Sequence, residues 1–199
     1  MDTARIGRVL VASLHQAIAD ELPMRLEFYE HWLTPGGLRV GTLGRAPITA
    51  VLGFLRAEGE PYDRVMARAG EYAGEWTVAD LGGFERRLMR GLPPALRVRA
   101  GLRVGRSLVR DVYPPSRAAT RCRRGTAVVD LRLSPFCDVR EIGVPRCGFY
   151  AAAFGRILGG LGLEADARVA LCRASGGDRC SLSVGVRGVR LEHDAPAAA

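Results

Sequence analysis

The sequence predicts an α+β domain: helices packed on one face of a small antiparallel sheet, with the helix-rich part at the N-terminal side. Three observations lead there. Apolar residues recur at helical spacing through most of the first 112 positions. Alternating runs then appear in two pairs, at 118–137 and 167–186, each joined by a short turn, so that their pairing is antiparallel. One more helical run separates the two pairs.

Taken in order, Ile6, Val9, Leu10, Leu14 and Ile18 line one side of a helix over 3–21, with Asp2 or Thr3 as its N-cap. Pro23 interrupts it. "MRLEFYEHWL" fits a helix and a strand equally, and "TPGG" at 34–37 is a turn. "GLRVGTL" reads as a short strand or loop, and Pro47 as the first residue of a helix that buries Ile48, Val51, Leu52 and Leu55. Helices follow over 61–74 and 77–91, and "GLPP" ends the second. A helix from about Ala95 to Val112 stops at "YPPS". Two strands turn near Arg124-Gly125. "CGFYAAAFGRILGGLG" is helical through Tyr150, Phe154, Ile157, Leu158 and Leu161, and two strands meet at the Ser-Gly-Gly-Asp turn of 175–178. There is no internal repeat.

Composition narrows the class. With 48% hydrophobic residues in 199, the chain fills a core, and no run approaches the ~18 apolar residues of a membrane span. The first residues lack the pattern of a cleaved signal. Five cysteines, an odd number, suit reduced thiols and a cytoplasmic setting better than a disulfide framework. All 29 basic residues are arginine, which reads as a GC-rich bacterial genome. Arg99, Arg103, Arg106 and Arg110 form one helix stripe, but no aromatic residues are interleaved with them. They therefore read as a solvated face, against nucleic acid as a partner. Glu71 and Glu75 read as surface acids paired with Arg64 or Arg68. His31 beside Trp32 reads as an ordinary surface histidine. "GLRVGTLG" and "GRILGGLG" lack the strand–loop–helix order of a dinucleotide site. No G-x-S-x-G or His-Glu-x-x-His occurs, so catalysis has no visible device.

Cys172 and Cys180 flank the last turn. Centring the turn on Gly176 puts them opposite each other, whereas the apolar alternation asks for a register shifted by one; a bulge at the Gly-Gly reconciles the two. Three outcomes stay open: buried free thiols, a cross-strand disulfide, or ligands of a soft metal.

The run "CGFYAAAFGRILGGLGLEADARVALCRASGGDRCSLSV" resembles the end of a 4-vinyl-reductase-type domain. The likeness lies in a cysteine opening an aromatic-and-alanine helix, then two cysteines eight residues apart around a Gly-Asp turn. "LPPALRVRAGLRVGRSLVRDVY" and the strands ending at "SPFC" also fit. The resemblance covers 40–186. It leaves 1–39 as an N-terminal helical extension and 187–199 as a strand end and frayed tail. It implies a fold shared with subunits of the TRAPP tethering complex and a closed pocket for a small apolar or aromatic molecule. It also implies a homodimer, with output through that dimer or a separate regulatory protein, and no catalysis by the domain itself. Other members imply a role as enzyme or accessory in bacteriochlorophyll and tetrapyrrole metabolism, or as a scaffold with a filled core.

The pocket residues so implied are Trp76, Phe84, Phe136, Phe149, Tyr150 and Phe154. In the phenol-sensing branch zinc is held by three cysteines and a glutamate. The cysteines fall on Cys147, Cys172 and Cys180, and the glutamate position is occupied by Val169. Valine does not ligate, so a fourth ligand has to come from Cys137 or Glu141.

Overall fold

The computed structural model describes residues 5–33, 42–123, 126–137 and 143–189. A short strand β1 (Arg5–Gly7) leads into α1 (Arg8–Glu21); α2 (Leu26–Trp32), strand β2 (Thr42–Gly44), α3 (Arg45–Ala57), α4 (Pro61–Ala79), α5 (Gly83–Gly91) and α6 (Pro94–Val112) follow. Then come β3 (Arg117–Arg123), β4 (Thr126–Arg132), α7 (Gly148–Gly160), β5 (Ala165–Leu171) and β6 (Cys180–Val186). The sheet is antiparallel in the order β3-β4-β6-β5, and β1 pairs separately with β2. The predicted α+β class is observed. No helix is long and apolar enough to cross a membrane among the described residues.

The two hairpins join through β4 and β6, where Val129 faces Leu182 and Leu131 faces Cys180. Alternation sends Ala127, Val129 and Leu131 inward with Leu182 and Val184, onto the helices. The turn at Arg124-Gly125 lies outside the described residues. The register shift expected in the last hairpin exists, but it sits in β5 between Val169 and Leu171 rather than at the glycines. Gly176 instead takes the left-handed conformation, φ +87°, that the turn requires.

α4 and α7 form the centre. Gly70 and Gly74 let α4 lie against the α7 backbone, where an added Cβ would stand 2.1 Å from the Phe149 carbonyl oxygen and 2.7 Å from that of Ala153. This close approach is why α4 runs unbroken to Ala79, past the break expected at 75–76: the glycines are contact points, not stops. The chain breaks instead at Asp80–Gly82. At the start, the expected helix from residue 3 gives way to strand over Arg5–Gly7, because β2 offers Ile6 a partner at Leu43. α1 buries Leu10, Val11, Leu14, Ala17 and Ile18 in the same core as the rest.

Surface charges tie helices together. Arg68 pairs with Glu71, and Arg64 with Glu60, whereas Glu75 reaches across to Arg156 of α7 at 2.7 Å. Asp20 of α1 accepts hydrogen bonds from the Tyr72 hydroxyl at 2.6 Å and Arg68 Nε at 3.2 Å. Those donors, Tyr72 first, hold its carboxyl below the ordinary value of 3.8. The lowered group favours the folded state above its unfolded value and loses that effect as pH falls through the folded one. Asp20→Asn is therefore expected to cost under ~1 kcal/mol at neutral pH, as exposed pairs do. The difference from the parent in urea midpoints should shrink as pH falls below the ordinary carboxylate range.

Candidate functional site

Four cysteines converge from three separate segments. β4 is followed by Leu133, whose left-handed φ of 56° is uncommon outside glycine and turns the chain sharply. The next residues form a 3-10 turn, Pro135–Cys137, that places Cys137 beneath the start of α7. Cys147 is the N-cap residue of α7, Cys172 follows β5, and Cys180 opens β6. The ribbon between the last two folds back on Cys172, whose carbonyl accepts from the backbone N–H of Ser175 at 3.1 Å and of Gly177 at 2.9 Å.

All four Sγ atoms lie within 4.8 Å of one another. Cys137 Sγ is 3.2 Å from Cys147 Sγ and 3.3 Å from Cys172 Sγ, and Cys172 Sγ is 3.8 Å from Cys147 Sγ. None of the five cysteines is disulfide-bonded. A tetrahedral thiolate site with metal–sulfur bonds of about 2.3 Å has sulfur–sulfur edges of about 3.8 Å. The observed spacing brackets that edge, so the four sulfurs could hold a metal ion. Backbone N–H groups already point at the sulfurs, Arg146 to Cys172 Sγ at 3.3 Å and Arg173 to Cys180 Sγ at 3.5 Å. Such donors stabilise thiolate, as the outer shell of a metal site does. The thiols do not share one acidity. Hydrogen bonds from Cys137 and Cys147 push Cys172 down, and the bond with Cys137 pushes Cys147 up.

Cys147, Cys172 and Cys180 are thus brought together, and the fourth sulfur is that of Cys137. Glu141 lies outside the described residues. Val169 faces Leu182 within the sheet and packs against the core. The fifth cysteine, Cys122, is buried in β3, apart from the group.

The aromatic residues divide. Phe136, Phe149 and Tyr150 pack against one another with ring centroids 5.1 to 5.4 Å apart, all fully buried beside the sulfurs. Phe154 fills the notch left by Gly105 of α6, where an added Cβ would meet its ring at 2.3 Å. All four are buried. Trp76 is elsewhere, half-buried in a cleft between α1, α4, α5 and α6. Phe84 stands on the outer side of α5, 82% exposed.

The cleft has a volume of about 980 Å³, at the upper end for small-molecule sites. Val9, Trp76, Leu81, Met89, Val104 and Leu108 supply its apolar surface, with Arg8, Asp80, Arg103 and Asp111 around them. Sequence reasoning did not find it, because its walls come from helices whose inward residues look like any other helical stripe. The arginine stripe Arg99, Arg103, Arg106 and Arg110 is exposed along α6.

No protein-family model and no curated protein sequence matches the chain. Solved structures do. The phenol-responsive sensory domain of the transcription activator PoxR, solved with phenol, matches at a TM-score of 0.53 and 15% identity, over 71% of this chain and 74% of that one. A trafficking protein particle complex subunit 3 from Naegleria fowleri, covalently bound to palmitic acid, matches at a TM-score of 0.52 and 10% identity, over 74% of this chain and 98% of that one. The fold is shared with both. This likeness agrees with the fold that the resemblance in the sequence implies.

Proposed function

We propose that the chain is a non-catalytic binding module for a small apolar or aromatic molecule, seated in the cleft beside Trp76, with zinc holding the last hairpin to α7. The observation that carries the ligand reading is the cleft itself, half-apolar, large enough for such a molecule and walled by four helices. The fold neighbours support it, one solved with phenol and one with palmitic acid. Burial of the ligand's apolar surface would supply the free energy, at ~25 cal/mol per Å² before ordering costs.

Cys137, Cys147, Cys172 and Cys180 would hold the zinc, and the ion would supply a cross-link without chemistry of its own. Occupancy of the cleft would be passed to a second copy of the chain or a separate regulatory protein. α5 is suited to that step, since its Glu85 and Met89 line the cleft while Phe84 and Leu88 are exposed.

The test uses a Trp32→Phe background, which leaves Trp76 as the single tryptophan. Titration with phenol, and separately with palmitate, should change Trp76 fluorescence saturably. Ala12→Phe, which fills the cleft from α1, should weaken binding by at least ~10-fold, about 1.4 kcal/mol. No saturable change with either probe, or binding indifferent to Ala12→Phe, would remove the cleft from the account.

A further inference from the structure

The four-cysteine site poses a charge problem. Four thiolates around a divalent ion carry a net charge of minus two, and the neighbouring rings of Phe136, Tyr150 and Tyr62 are all fully buried. An uncompensated charge of that kind is costly to bury. We propose that Arg56 and Arg146 are the residues that balance it, and that they set the metal affinity of the site. This rests on the metal reading given above.

Arg56 comes from the end of α3, distant in sequence from every cysteine of the group. Its Nη2 donates to the carbonyl of Phe136, the residue before Cys137, at 3.1 Å. Its Nε is buried with no acceptor among the described residues. Arg146 immediately precedes Cys147. Its backbone N–H donates to Cys172 Sγ, and its guanidinium carbon stands 4.6 Å from the centre of the Tyr62 ring.

Tyr62, on α4, is where these groups meet. Its phenol lies within electrostatic reach of Arg56, Arg146 and Cys137 together. Arg146 lies over this buried ring, and Arg56 is hydrogen-bonded to the residue beside Cys137. The flat Tyr62 face holds Arg146 in place, as arginine favours on an aromatic surface. The Phe136 carbonyl holds Arg56. Both guanidiniums bring positive charge beside segments that carry the sulfurs, opposite in sign to the filled site.

The experiment measures zinc affinity by competition with a chromophoric chelator, on the full chain. Arg56→Met and Arg146→Met keep the apolar stem and remove the charge. Each is expected to weaken zinc binding by ~10- to 100-fold, the usual loss for an outer-shell partner, and the double variant by more. Arg56→Lys and Arg146→Lys should retain most of the affinity. In the zinc-loaded double Met variant, alkylation should label a thiol that stays protected in the parent. Metal-free melting curves of parent and double variant should nearly coincide. Equal affinity in parent and double Met variant, or a loss matched by the same destabilisation without metal, overturns the proposal. A parent chain that binds no zinc overturns the metal reading itself.

Discussion

Cys147→Ser is expected to lower the melting temperature of the chain by ~10 °C or more, and chelation of metal from the parent should do the same. Cys147 is fully buried at the N-terminus of α7, in contact with Cys137 and Cys172. Structural zinc in small peptides contributes apparent free energies of about 10–16 kcal/mol. This chain has a large core of its own, so a smaller share is at stake. A loss of about 3–5 kcal/mol corresponds to the stated shift at ~2–4 °C per kcal/mol for a domain of this size. The variant should then be indifferent to chelator, because the site it would destroy is already gone. Cys122→Ala is the control. It removes a buried cysteine outside the group, and its cost should stay near the ~1 kcal/mol of an average substitution. Scanning calorimetry of the three proteins, with and without chelator, measures all six states. If the parent ignores chelator and Cys147→Ser costs no more than Cys122→Ala, the sulfurs are apolar core and nothing else.

The second large effect concerns close backbone contacts. Gly7→Ala and Gly70→Ala are each expected to cost more than the ~1–3 kcal/mol of ordinary overpacking. A Cβ on Gly7 would stand 1.5 Å from the Asp111 carbonyl oxygen, and one on Gly70 2.1 Å from that of Phe149. Both obstacles are backbone, so no rotamer change relieves them; whole helices have to separate. For Gly70 the helix that moves is α7, which carries Cys147, so the same variant should also weaken metal binding. Gly53→Ala gives the opposite sign. Nothing lies within 4 Å of its added methyl on α3, and alanine should stabilise that helix by ~0.5–1 kcal/mol. Urea midpoints of the three variants check the ordering.

What the sequence reveals about this fold follows from how local each feature is. The long amphipathic helices α3, α4 and α6 and the two hairpins are written in nearest-neighbour periodicity, and α+β could be read from them directly. β1 is only three residues long and depends on a partner near position 43, which no local pattern announces. The two glycines of α4 give no local signal, because their purpose lies on α7. At the candidate site, Cys172 and Cys180 stand out by spacing around a glycine turn, and Cys147 by resemblance. Cys137 is settled only by a chain reversal at Leu133 that the sequence does not mark. The aromatic residues illustrate the converse. Phe136, Phe149, Tyr150 and Phe154 have the composition of a pocket wall and are buried against one another or against α6, while a separate cleft forms between helices around Trp76. Spacing tells which residues turn inward; it does not tell whether the space between them is filled.

The arrangement of the sulfurs is the centre of this account, and X-ray absorption at the zinc edge measures it most directly. Protein purified without added metal and then loaded with one equivalent of zinc should show a shell of sulfur alone, four atoms at about 2.3 Å. A shell with fewer sulfurs and an oxygen or nitrogen in place of Cys137, or a chain that retains no zinc, would contradict it.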